Sequence, residues 1–183
     1  MRDTIIDYLN RVDRPGMNHL INHLDEIDFF TAPASSQYHL AKEGGLAEHS
    51  LNVFELMRII ADHIEPELSW DSLIITGLLH DVGKAAFYNK PLYVPNLLKS
   101  GQPSPTKPYA HNKDRLINNH AVASLIIITR YIELTEEESF AILYHNGLYD
   151  GIGREINSKE RPLQQLLHFA DMWCSRFLDA RED

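Results

Sequence analysis

Leu73-Ile74-Ile75-Thr76-Gly77-Leu78-Leu79-His80-Asp81-Val82-Gly83-Lys84 is an almost wholly apolar run that ends in an imidazole, a carboxylate and an ammonium group. The run reads as a buried helix, and the groups at its end are costly to bury unless something pairs with them. A metal ion would pair with two of them. Neighbouring helix residues point about 100° apart, so His80 and Asp81 cannot share a face, yet they can approach one site from two sides. An imidazole that holds one ion beside a carboxylate able to bridge two suits that geometry. A solvated helix end would explain the dipeptide alone; its place at the end of a buried helix favours a site.

Upstream of this run, Gly44-Gly45 reads as a tight turn into a helix from Leu46 to about His63, ending before Pro66. Its stripe at helical spacing is His49, Val53, Leu56, Ile60 and Ile64, which puts His49 on the buried face. Earlier still, Asp3 to Asn10 and Met17 to Ile27 read as packing helices split by Pro15-Gly16, and residues 1–37 form an N-terminal packing segment. His19 and His23 lie four apart, but nothing nearby completes a metal site.

Downstream, the helix that begins at about Trp70 is expected to end at Gly83, and no Asp or Glu follows Val82 until after Lys113. Lys84, Lys90, Lys99, Lys107 and Lys113 fall in that interval with Phe87, Tyr88, Tyr93 and Tyr109, and Pro91, Pro95, Pro103, Pro105 and Pro108 interrupt regular structure. Residues 85–111 therefore read either as a solubilising excursion or as a lid that offers ammonium groups to phosphate and the rings of Tyr88 and Tyr109 to a base. Asn112 to Tyr131 reads as a helix with the stripe Leu116, His120, Ala123, Ile127 and Tyr131. Thr135 and Glu138 make a capping box for a helix running to about His145 and stopping at Gly147. Pro162 opens a last helix with the stripe Leu163, Leu167, Asp171, Cys174 and Leu178, which sets the carboxylate of Asp171 in an apolar face.

Composition narrows the classes. The 183 residues suffice for one substantial core, and a single domain over 1–183 is expected. No apolar stretch reaches the length of a membrane span and Met1-Arg2-Asp3-Thr4 lacks the form of a secretory signal, so a cytoplasmic protein without membrane partners is expected. A formal charge of −9 disfavours general capture of duplex nucleic acid, while a small anionic substrate remains compatible with local positive charge. The single cysteine, Cys174, excludes an internal disulfide and a thiolate zinc site, so metal chemistry must use His and carboxylates.

His49, His80, Asp81, His120, His145 and Asp171 thus each bring a titratable group to an apolar face. Such a donor set suits iron, manganese, nickel, cobalt or zinc rather than calcium, and the competing reading is a set of unrelated core histidines. Gly44-Gly45-Leu46-Ala47-Glu48-His49-Ser50, Leu79 to Lys84, Asn119-His120-Ala121, Tyr144-His145-Asn146-Gly147 and His168-Phe169-Ala170-Asp171 resemble the HD-domain metal-dependent phosphohydrolases, whose signature is the order His, His-Asp, Asp. The resemblance spans Tyr38 to about Asp179 and is nearest to the HD domain of bacterial 3′-to-5′ exoribonucleases, whose preceding OB-fold would not fit in this chain. It departs in having His145-Asn146 where many relatives have a His-His pair, and Lys42-Glu43 where exonuclease-like members tend to have a basic residue before the glycines.

The resemblance implies an all-α, compact multi-helix bundle with a long Pro-rich loop. It implies a divalent transition metal held by His49, His80, Asp81 and Asp171, and a second where His120 and His145 are added, with Asp81 as bridge. Catalysis would fall to a metal-activated water, with Asp81 and Lys84 as catalytic residues. Lys84, His39, Tyr88 and Tyr109 are the substrate-binding candidates, and His39 and His168 could instead support the ligands. The expected substrate is a phosphate ester or phosphodiester of a nucleotide or short oligonucleotide. A mixed-valent di-iron oxygenase and a non-catalytic nucleotide-sensing module are the other classes that fit these residues.

Overall fold

The structure, a computed structural model, describes residues 1–64 and 67–180, so Pro66, expected just beyond the end of a helix, lies outside the described residues. Seven α-helices carry the described fold: α1 (Arg2–Leu9), α2 (Met17–Glu26), α3 (Gly45–Ile64), α4 (Trp70–Leu79), α5 (His120–Thr129), α6 (Glu136–Leu143) and α7 (Pro162–Trp173). A single antiparallel hairpin, β1 (Tyr93–Pro95) with β2 (Tyr109–His111), completes it, so the helical bundle expected from sequence is what forms.

α4 is the central element, with every residue from Ser72 to Leu79 buried, because its sequence offers no polar face to turn outward. α3 lies against it through Leu46, His49, Ser50, Val53, Phe54 and Met57. This stripe differs from the expected one: Leu56 and Ile60 are half-buried and Ile64 is exposed, because the apolar arc is centred one residue further along than the i, i+4 reading placed it. Gly77 is where the helices come closest, since a Cβ there would sit 2.9 Å from the Cα and Cβ of Phe54. α1 and α2 close one side of the core with Ile5, Leu9, Leu20, Ile21 and Leu24.

α4 ends at Leu79 rather than at Gly83. His80 keeps helical angles, Asp81 leaves them, and a 3-10 turn over Val82–Lys84 is closed by Lys84 N–H donating to Asp81 O at 2.8 Å. Gly83 N–H donates to Ser124 Oγ at 2.8 Å, drawing the turn onto α5, and a Cβ on Gly83 would collide with the carbonyl oxygen of His120. α5 in turn begins at His120, eight residues later than Asn112, because Asn119 caps it by accepting from Val122 N–H at 3.0 Å. Before that cap the chain is held irregular by buried Arg115, which donates to the carbonyls of Gly83, Ala85, Lys90 and Ile117, and Leu116 is exposed instead of facing the core.

Residues 85–111 are more regular than their prolines suggest. Strands of three residues leave too short a pattern to read, and Pro95 closes β1 where no ladder donor is needed. Tyr109 N–H donates to Ser36 O, tying the hairpin to the segment before α3.

The capping box predicted at Thr135 and Glu138 is present. Glu138 is fully buried and also receives Arg14 and Ser72, so one carboxylate fastens α6 to α4 and to the turn between α1 and α2. α6 ends at Leu143, short of His145. Pro162 opens α7 as expected, but a π turn over Cys174–Leu178 adds a residue to the register. The inward place after Cys174 therefore goes to Asp179, 4% exposed, and not to Leu178, 43% exposed.

Gly77→Ala should destabilise the fold by about 1 kcal/mol or more despite alanine's better helix propensity, because the added methyl meets Phe54 backbone that cannot step aside. Urea unfolding followed by circular dichroism measures it, and a neutral or stabilising result would contradict this packing.

Candidate metal centre

The carbonyls left open at helix C-termini aim two of the imidazoles. His80 follows α4 and its Nδ1 donates to Gly77 O at 3.0 Å; His145 follows α6 and its Nδ1 donates to Ile142 O at 2.7 Å. A carbonyl can only accept, so each ring carries a proton on Nδ1 and turns Nε2 towards the cluster. His49, in the first turns of α3, is aimed instead by Asp179, whose Oδ2 takes Nδ1–H at 2.6 Å while Oδ1 is held by Asn52 Nδ2 at 2.8 Å.

These rings converge on Asp81. Its Oδ2 lies 3.5 Å from His49 Nε2, 3.5 Å from His80 Nε2 and 2.5 Å from Lys84 Nζ. Its Oδ1 lies 3.3 Å from His120 Nε2 and 3.5 Å from His145 Nε2. Asp171 Oδ1 is 3.1 Å from His49 Nε2 and accepts from Ser175 Oγ. The six expected residues are thus brought together, and two ligand-sized groups emerge from them: His49, His80 and Asp171, and His80, Asp81 and His145, each with donor atoms within 4.8 Å of one another. His120 borders the second group, its Nε2 3.2 Å from that of His145.

The chemistry of this set fits a divalent cation. Among the described residues, His49 Nε2, His80 Nε2 and both oxygens of Asp81 are buried without a neutral hydrogen-bond partner, Lys84 meeting Asp81 as an ion pair at one oxygen. Leaving such atoms unpaired is expensive, and an ion bound by lone pairs from three helix ends and a bridging carboxylate would relieve it. Burial opposes charge on His49, but its contacts with Asp171 and Asp179 prevail and hold its pKa up at about 9. Burial likewise opposes the charges of Asp81 and Lys84, and their mutual attraction keeps both ionised. Burial pushes His80 down and takes His120 to about 3.

Around the cluster, a cavity of about 680 Å³ is lined by Tyr38, His39, Asn146, Tyr149, Asp171 and Arg176 among others. The His39 ring lies tilted beside that of His49, their centres 5.1 Å apart, and burial with the nearby Lys84 charge pushes its pKa down to about 4. His168 lines the same cavity and donates from Nδ1 to His145 O at 2.6 Å. Tyr88 lies elsewhere, with its ring against Phe87 and under the Arg130 guanidinium, and Tyr109 sits in β2; neither lines this cavity.

Sequence reading missed Asp179, Asn52 and Asn146. Asp179 lies eight residues beyond Asp171, a same-face spacing, but an unbroken α-helix put Leu178 in that place. Asn146 Nδ2 lies 3.1 Å from both His120 Nε2 and His145 Nε2, so the residue standing where many relatives have a second histidine is in the cluster.

A family model described as HD domain matches residues 46–173. The chain is 32% identical to the 3′-5′ exoribonuclease YhaM of Bacillus subtilis over 50% of this chain and 30% of that enzyme, and 30% identical to its Bacillus velezensis counterpart over the same shares. It is 25% identical to the dihydroneopterin 2′,3′-cyclic phosphate phosphodiesterase of Methanocaldococcus jannaschii over 94% of this chain and 84% of that protein. The chain therefore spans less than a third of the length of the exoribonucleases it matches. No solved structure matches significantly.

Two outcomes follow from the aiming of His49. Metal binding must remove the proton from its Nε2, so affinity should rise with pH from 6 towards 9, with about one proton released per site near pH 7.5 in calorimetry across buffers. Asp179→Asn should weaken metal retention about ten- to a hundred-fold in chelator competition, because the ring loses the carboxylate that orients it.

Proposed function

The chain belongs to the HD-domain family, and from that premise we propose that it is a metal-dependent phosphohydrolase acting on a phosphate ester or phosphodiester of a nucleotide or short oligonucleotide. The observation that carries this reading is the buried Asp81 carboxylate, with imidazole nitrogens gathered at both of its oxygens. His49, His80, Asp81 and Asp171 would hold one divalent ion, and His120 and His145, with Asp81 shared, a second; manganese, iron, nickel, cobalt and zinc all suit this donor set.

A divalent ion in such a site supplies a hydroxide at neutral pH and Lewis-acid stabilisation of phosphoryl oxygens. The protein's own groups then have defined tasks. Lys84 stays charged beside Asp81, and its remaining N–H bonds are available to a phosphoryl oxygen or to the departing oxygen. His39, kept neutral by burial, cannot repel a cation from the neighbouring His49 and can accept a proton or a hydrogen bond. Asp171 both faces the cavity and reaches His49, so a ligand entering the cavity meets the cluster at that carboxylate. The relatives' names support the reaction class, one a phosphodiesterase and the other an exoribonuclease, since breaking a phosphodiester is common to both.

Purified protein loaded with manganese should hydrolyse a chromogenic phosphodiester or members of a nucleotide panel. Asp81→Asn and His80→Ala should each lower that rate at least about a hundred-fold while far-ultraviolet circular dichroism stays unchanged. Turnover that survives Asp81→Asn would refute the assignment. Oxygen uptake by the iron-loaded protein without phosphate-ester cleavage would move it to the oxygenase class.

A further inference from the structure

We propose that the cavity beside the cluster binds one nucleotide, with Tyr38 and Tyr149 flanking its base and Arg176 supplying the single cation that meets it. This rests on the reading of the cluster as a phosphohydrolase site and adds what the rest of the substrate must be.

Tyr38 and Tyr149 come from segments far apart in the chain, the connection before α3 and the turn after α6, and both line one cavity. Each leaves most of its ring in water, at 79% and 72% exposure. Rings of that size usually gain from burial, and two of them kept free around one concavity form a surface suited to another flat ring. Their backbones are fixed even though the rings are largely exposed. Tyr38 N–H donates to Ser35 Oγ at 2.9 Å, that hydroxyl donates to His39 O, and β2 clasps the same segment through Ser36 O. Tyr149 N–H donates to Asn146 O at 3.1 Å.

The Arg176 guanidinium lies 5.6 Å from the Tyr149 ring centre and lines the cavity. A cation already seated on an aromatic face can stack on a base or meet a phosphate without moving far. Asp171 and Asn146 line the same cavity and touch the imidazoles of the cluster, so a nucleotide stacked on the tyrosines would direct its phosphate to the reacting end.

Charge selects a mononucleotide over a strand. Arg176 is the one Lys or Arg among the described residues lining this cavity. Single-stranded nucleic acid is held by a row of cations that follows its backbone, and none is found here. Planar heterocycles bound to a single phosphate group need only one.

The test compares adenosine 5′-phosphorothioate with ribose 5-phosphorothioate, chosen for slow hydrolysis, by calorimetry on the metal-loaded protein. The adenosine compound should bind about ten-fold more tightly, the scale of one base stacked on an aromatic ring. Tyr149→Leu and Tyr38→Leu should each shrink that ratio while leaving the ribose compound within about two-fold, and Tyr149→Phe should preserve it because the ring is retained. Equal affinities in the wild-type protein, or a ratio indifferent to both leucine variants, would overturn the clamp. A phosphorothioate-linked tetra-adenylate binding more tightly than the mononucleotide would overturn the single-nucleotide assignment. Base-dependent binding without hydrolysis of any ester would uphold the clamp and remove the hydrolase reading, whereas hydrolysis with equal affinities would do the reverse.

Discussion

The structure depends on keeping the carboxylate of Asp81 ionised at the centre of a helical bundle. An isolated buried carboxylate is among the most costly groups a fold can contain, and Lys84 compensates it at only one oxygen. The remaining demand explains features that otherwise look unrelated. α4 must stop at Leu79 so that Asp81 can turn away from its axis, Gly83 must lack a side chain so that the turn can lie on α5, and α5 must start at His120 so that an imidazole reaches the second oxygen. Each of these local breaks in helical structure serves one pair of oxygens.

The same economy governs the imidazoles. Helix C-termini always leave carbonyls without partners, and here those of Gly77 and Ile142 are taken by the Nδ1–H of His80 and His145. A terminus that needs capping and an imidazole that needs a fixed orientation solve each other's problem. His49 cannot use this device because it lies near the start of α3, where N–H groups and not carbonyls are open. A carboxylate, Asp179, does the work instead and, with Asp171, brings negative charge, which is why His49 is raised to about 9 while burial lowers His80 and His120; His145, beside Asp81, is raised as well.

What could be read from the sequence followed the same physics. His49, His120, His145 and Asp171 were legible as titratable groups on apolar helix faces and His80-Asp81 as the polar end of a buried run, and it was the resemblance to the HD-domain family, not periodicity, that joined the six into one site. The helix boundaries beside them were less legible. The break after Leu79 depends on Ser124, the irregular chain before the Asn119 cap depends on Arg115 reaching back to Gly83, and neither long-range bond has a local mark. The hairpin hid in strands too short to alternate visibly, among prolines that argued for loop. Asp179 was lost to one residue of π-helical register. Such an insertion moves every later side chain by about 100°, and a stripe drawn at constant spacing cannot anticipate it.

Charge at the cluster adds a constraint of its own. Asp81, Asp171 and Asp179 bring three negative charges and Lys84 returns one, so once metal ligation has displaced the protons that Asp171 and Asp179 favour on His49 and that Asp81 favours on His145, two negative charges are left in a buried site. One divalent ion would then bring the total to zero. A second would leave an excess of two positive charges, which no further buried carboxylate among the described residues offsets at the cluster. Asn146 stands at that second position with a neutral amide across the His120 and His145 nitrogens, where an acid would have compensated the charge. The fully loaded site would therefore be electrostatically complete only with an anion from outside, and a phosphate group carries the charge and the oxygens to meet that need.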